Sequence, residues 1–156
     1  VASGKGGGFA IKGILGDSVG NAVSGIGDVN GDGRADILAK SGWWRQPDSL
    51  AGDPLWEHHP VAFSGPGGAQ MHVRDVDGDG LNDVITSLAA HGWGLGWWKQ
   101  SKAADGKRSF SYRPIIGEKP SESPFRVSFS QIHAIDVADR VLRHGPMPPV
   151  DLHQLR

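Results

Sequence analysis

Cysteine is absent from the 156 residues, and with it go disulfides, thiolate metal sites and a cysteine nucleophile. Charge of one sign is also missing. The 16 basic and 17 acidic side chains leave a formal net charge of −1, so no global field draws the chain to nucleic acid or to an acidic membrane. No apolar run approaches the roughly 18 residues of a membrane helix. Val1 opens the chain without methionine and without a charged-then-apolar leader, as expected of a chain whose leader was removed or of a piece of a longer one. Helical spacing at i, i+3 and i+4 is not convincing before the tail. His-Glu-x-x-His and the Walker loop do not occur. Residues 6–8 are three glycines with no helix pattern after them, so they are no phosphate loop.

What is abundant is turn chemistry. With 24 glycines and 10 prolines, the composition predicts many turns, short strands and few long helices. An internal repeat organises them. Gly27-Asp28-Val29-Asn30-Gly31-Asp32-Gly33-Arg34-Ala35-Asp36-Ile37 recurs as Arg74-Asp75-Val76-Asp77-Gly78-Asp79-Gly80-Leu81-Asn82-Asp83-Val84, 47 residues on. A double tryptophan follows each cluster, in Trp43-Trp44-Arg45-Gln46 and Trp97-Trp98-Lys99-Gln100. The second pair comes later than the period requires, which places an insertion around His91-Gly92-Trp93-Gly94. A third unit starts and fails. Residues 110–117 resemble the segment opening at Trp56, and 130–139 resemble the strand that leads into each cluster. Arg140-Val141-Leu142-Arg143-His144 then replaces the aspartates that should follow Asp139.

Strands are expected at about 9–15, 22–28, 35–40 and 42–47 in a first unit, and at about 55–62, 69–75, 83–89 and 95–100 in a second. Four short strands per 40–50 residues predict an all-β fold of propeller-type blades. The expected division is blade one over 1–47, blade two over 48–100, a partial third over 101–139 and an irregular tail over 140–156.

The clusters point to a cation. Asp28, Asn30, Asp32 and Asp36 stand at positions 1, 3, 5 and 9 of a loop, where odd-position oxygens converge if the chain curls tightly. Gly31 and Gly33 allow that curl. The carbonyl of Arg34, at position 7, is the natural backbone ligand. Asp75, Asp77, Asp79 and Asp83, with the carbonyl of Leu81, repeat the set. All donors are hard oxygens, in the number suited to calcium with its six to eight ligands at about 2.3–2.6 Å. Magnesium demands a strict octahedron, while zinc and copper prefer nitrogen and sulfur. Asp-Gly and Asn-Gly pairs also make ordinary hairpin turns, but packing four such groups together twice without a cation is unfavourable. An EF-hand loop would need a side-chain ligand at position 12 and flanking helices. Here position 12 is Ala39 or Thr86, and β-rich residues follow. Two calcium ions are therefore expected.

On these loops, this period and this strand context, the chain resembles the FG-GAP/VCBS repeat family, whose Asp-x-Asp/Asn-x-Asp-Gly-x-x-Asp loops also occur in integrin α-chain propellers. The resemblance covers about residues 9–139. It implies a β-propeller with the calcium ligands falling on the two residue sets just named. Propellers of this family close with about seven blades, so two and a part imply a fragment of a larger bacterial propeller, or a chain needing further blades or copies.

The expected function is a non-catalytic calcium-stabilised scaffold or recognition module, outside the cytoplasm, at a cell surface or in a periplasm, where calcium is plentiful. Its partner would be a protein or a polysaccharide. The alternatives are a polysaccharide-binding module stacking sugars on Trp44 and Trp98, or the propeller part of a polysaccharide lyase or hydrolase. No acid–base pair supports the enzyme. His58 and His59 are strand neighbours that point to opposite faces, and no acid partner is evident for His72, His91 or His133. On a strand, each Trp-Trp pair sends one ring to each side, so packing alone accounts for the tryptophans.

Overall fold

The structure, a computed structural model, describes residues 25–65, 70–122 and 130–138. The strand expected over 9–15, the start of the one expected over 22–28, Asp139 and the tail lie outside the described residues. The described chain is all-β, with two four-stranded antiparallel sheets in simple sequential order that do not close on each other. Sheet one contains β1 (Gly25–Gly27), β2 (Asp36–Ala39), β3 (Gly42–Arg45) and β4 (Glu57–Pro60). Sheet two contains β5 (Met71–Arg74), β6 (Asp83–Ser87), β7 (Leu95–Lys102) and β8 (Arg108–Ile116). No helix of the described residues is long and apolar enough to cross a membrane.

The two sheets share one register. Ile37 pairs with Trp44 and Trp44 with His58; Val84 pairs with Trp98 and Trp98 with Tyr112. Only Lys40 and Ser41 join β2 to β3, whereas residues 88–94 join β6 to β7, closed by the Leu88 amide on the Gly94 carbonyl at 2.9 Å. The extra residues fall where the delayed tryptophan pair predicts them.

One strand belongs elsewhere than expected. The segment 55–62, read from the sequence as opening the second unit, supplies β4 and closes sheet one beside β3. Its aromatic neighbours explain why. Trp43 stacks on His59 with ring centroids 4.1 Å apart, and Trp44 on His58 at 4.4 Å. Such cross-strand aromatic pairs are a main source of sheet stability. Residues 110–117 do resemble this segment, and β8 plays the same part in sheet two.

Alternation along each strand decides how the sheets stack. Leu38 and Trp43 turn to one face of sheet one, where they join Val29, Phe63, Met71 and Val84 in the main core, with Trp98 and Phe110 packed against it. Ile37 and Trp44 turn to the other face and pack with Trp56. By register, Val84 and Trp98 correspond to Ile37 and Trp44, not to Leu38 and Trp43. The sheets therefore stack in one sense, the front of sheet one on the back of sheet two.

Where the sheets meet, β1 lies beside β5, and a Cβ on Gly27 would strike the Val73 side chain. Residues 130–138 form no strand, but they lie against sheet two. Ser87 Oγ donates to the Ile132 carbonyl (3.2 Å), His72 Nε2 donates to the Ile135 carbonyl (2.7 Å), and the Ile135 amide donates to Gln70 Oε1 (3.1 Å). Gly27→Ala should overpack the β1–β5 contact and cost about 1–3 kcal/mol in urea denaturation. An unchanged midpoint would mean that the sheets are not held together at this point.

Candidate metal centres

Each aspartate-rich segment links the first strand of its sheet to the second, so residues 28–36 and 75–83 form equivalent loops at one edge of the stacked sheets. The curl is left-handed at the glycines, with φ of 73° and 83° at Gly31 and Gly33, and 77° and 84° at Gly78 and Gly80. A side chain there would be strained.

Within this curl the first aspartate gathers backbone amides. Asp28 Oδ1 accepts from the Asp32 amide (3.0 Å) and Oδ2 from Gly33 (2.8 Å). Asp75 accepts from Gly78, Asp79 and Gly80 at 2.8–3.1 Å. The fifth-position aspartate holds the amide two residues on: Asp32 takes Arg34 (3.0 Å), and Asp79 takes Leu81 (2.9 Å). The ninth-position aspartates, Asp36 and Asp83, are fully buried. Asp36 Oδ2 accepts from the Val29 amide (2.9 Å) and Oδ1 from Gln46 (2.9 Å); Asp83 does the same with Val76 (3.0 Å) and Gln100 (2.7 Å). Each buried carboxylate thus staples the start of its loop to the glutamine two residues after the double tryptophan. Burial pushes both carboxyl groups up from the usual aspartate range, against the pull of these amides.

The loops differ in how their acidic oxygens meet. Asp75, Asp77 and Asp83 each turn one ligand atom into a group whose members lie within 4.8 Å of one another. Two oxygens on one hard cation stand at most about 5 Å apart, twice the metal–oxygen distance, so the spacing suits a shared ion. It can hold a metal. In the first loop Asn30 stands where Asp77 does, so the matching set Asp28, Asn30 and Asp36 carries only two carboxylates, and Asp28, Asp32 and Asp36 form no such group. Asp32 Oδ2 is occupied instead by Asn30 Nδ2 (2.9 Å), Arg34 Nη2 (2.8 Å) and Arg45 Nε (3.3 Å). Burial opposes ionisation of Asp32, but these partners and the Arg34 amide outweigh it and hold the carboxyl below its usual range. Arg34 Nη2 also pairs with Asp48 (2.8 Å). Asp79 stands outside the trio, its Oδ2 bonded to Lys99 Nζ at 2.6 Å, and Lys99 also pairs with Asp77. Lys99 holds the Asp79 carboxyl below its ordinary value, while Asp77 and then Asp79 push the Lys99 ammonium well above its own.

Comparison with protein-family models, curated proteins and solved structures finds nothing similar, so the loops are read from their chemistry.

Sheet two also grips the first loop from outside. Asn82 Nδ2 donates to the Asp28 carbonyl (2.6 Å), Gln100 Nε2 to the Val29 carbonyl (2.9 Å), and Arg108 to the Asn30 carbonyl. Val29, packed in the main core, is 0% exposed, while its repeat counterpart Val76 is 42% exposed. Sequence reasoning passed over Gln100, Arg45 and Lys99. The available signal was the Arg/Lys-Gln pair that follows each double tryptophan at one fixed place.

The tryptophans offered as ligand platforms lie mostly inside. Trp44 is 6% exposed against His58, Ile37 and Trp56. Trp98 is half-buried, packs edge-on to Phe63 and donates its Nε1 proton to the Phe63 carbonyl (3.0 Å). His91 and His133 meet edge to face at 4.8 Å.

Proposed function

We propose that this chain is a calcium-binding repeat module of the FG-GAP/VCBS type, a segment of a β-propeller in which the ions are structural and the module serves as a non-catalytic scaffold or recognition domain outside the cytoplasm. The observation that carries the reading is the gathering of Asp75, Asp77 and Asp83 oxygens at calcium spacing in a glycine-curled loop. The first loop supports it by sharing the curl, the stapling aspartate and the spacing of Asp28, Asn30, Asp32 and Asp36. Each ion would neutralise its carboxylates and lock the connection between the first two strands of a sheet, so that binding energy becomes folding energy.

Propeller membership is supported by the front-to-back stacking and by Val76. A further sheet placed on sheet two as sheet two sits on sheet one would cover that valine, and residues 130–138 already lie where its first strand would run. Calcium titration of the purified chain tests the ligand assignment. The wild type should take two ions per chain, Asp32→Ala should lose the first and Asp79→Ala the second. Full stoichiometry in both variants would show that the ligands lie elsewhere.

A further inference from the structure

Arg45 and Lys99 occupy one repeat position, the residue after the double tryptophan on the third strand of each sheet. Both reach back into the acidic loop of their own sheet, Arg45 to Asp32, and Lys99 to Asp77 and Asp79. These aspartates are the third- and fifth-position ligands on the calcium reading, on which this inference rests. An ammonium or guanidinium bonded to them holds oxygens that the ion requires, and its charge repels a divalent cation a few ångströms away.

We propose that Arg45 and Lys99 are tethered counter-ions, which neutralise the loops when calcium is absent and withdraw when it binds, and that they make the two sites unequal. The inequality follows from counting. In the first loop Asp32 pairs with Arg34 and Arg45, and Arg34 also holds Asp48, so Asp28, Asp32, Asp36 and Asp48 against two guanidinium groups leave two negative charges. In the second, Lys99 pairs with Asp77 and Asp79, so Asp75, Asp77, Asp79 and Asp83 against this one ammonium leave three. Residue type runs the same way, since the third position is a neutral Asn30 in the first loop and Asp77, gathered with Asp75 and Asp83, in the second. The second loop is the tighter site and fills first. The first loop is largely satisfied by its own arginines and by the grip of sheet two on its carbonyls, so it holds its shape at calcium levels that leave it empty.

Isothermal titration with calcium on the full chain tests this, with each site isolated by removing the other. Asp32→Ala, which keeps the second loop, should bind calcium more tightly than Asp79→Ala, which keeps the first. Adding Lys99→Met to Asp32→Ala preserves the aliphatic stem, removes the charge, and should tighten binding by about tenfold. Arg45→Met in the Asp79→Ala background should act likewise on the first loop. Melting in chelator supplies an independent readout. Lys99→Met should lower the midpoint without calcium and enlarge the rise on adding it, whereas a merely packing role would lower both midpoints together. Unchanged or weaker binding in the methionine variants, or tighter binding at the first loop, overturns the proposal while leaving the calcium sites intact. Absence of calcium binding in the wild type and in both methionine variants would instead sink the calcium reading itself.

Discussion

Saturating calcium should raise the thermal midpoint of this chain by on the order of 10 °C over the same chain in chelator. The size follows from linkage. Ligand at a hundred times the dissociation constant stabilises the folded state by about 2.7 kcal/mol per site, and two sites together give slightly more than about 5 kcal/mol, a large fraction of the stability of a small domain. Magnesium at equal concentration should give far less, because it parts with its water reluctantly and needs six oxygens in a strict octahedron. Scanning calorimetry with chelator, calcium and magnesium decides the matter. A folded chain whose midpoint ignores calcium would reduce both loops to turns.

The second large effect concerns a residue whose importance does not depend on the ion. Asp83→Ala should cost about 3 kcal/mol in urea denaturation even in chelator, because the amides of Val76 and Gln100 lose a charged acceptor and one of them is buried. Asp36→Ala should behave alike through Val29 and Gln46. Asp79→Ala should be nearly silent in chelator, since its carboxylate is solvent-exposed and its main partner is a surface lysine. With calcium added, the order changes, and Asp79→Ala then loses the ion's whole contribution at its site. Were Asp83→Ala as mild as Asp79→Ala in chelator, the buried staple would have no structural role.

Much of this was legible in the sequence because it is local. The left-handed glycines, the loop spacing and the insertion before the second tryptophan pair depend on a few neighbouring residues, and a 47-residue repeat reads them out twice. The assignment of 55–62 to the wrong sheet has a different origin. Alternation says that a strand exists and which side chains share a face, but not which edge it joins. That choice was made by His58 and His59 stacking on Trp44 and Trp43, a contact across 14 residues for the first pair. The meaning of Arg45 and Lys99 was hidden for the same reason. Adjacent to tryptophan in the chain, they read as surface charges until strand pairing brings them beside the loops. The grip of Asn82, Gln100 and Arg108 on the first loop joins residues 54 or more positions apart and has no local pattern to betray it.

The front-to-back stacking of the sheets has one further consequence. The contact is heterologous, since the surface that sheet one offers differs from the one that sheet two presents to it, and no two-fold axis relates them. An interface of this kind has no built-in stopping point. Each added sheet consumes one free face and creates another of the same character, so the local contacts do not count units. The number is set by the small rotation from one sheet to the next, which either brings the last unit back to the first or winds on without end. Where the outer faces are left uncovered, such units complement each other front to back and should add head to tail rather than pair as symmetric dimers.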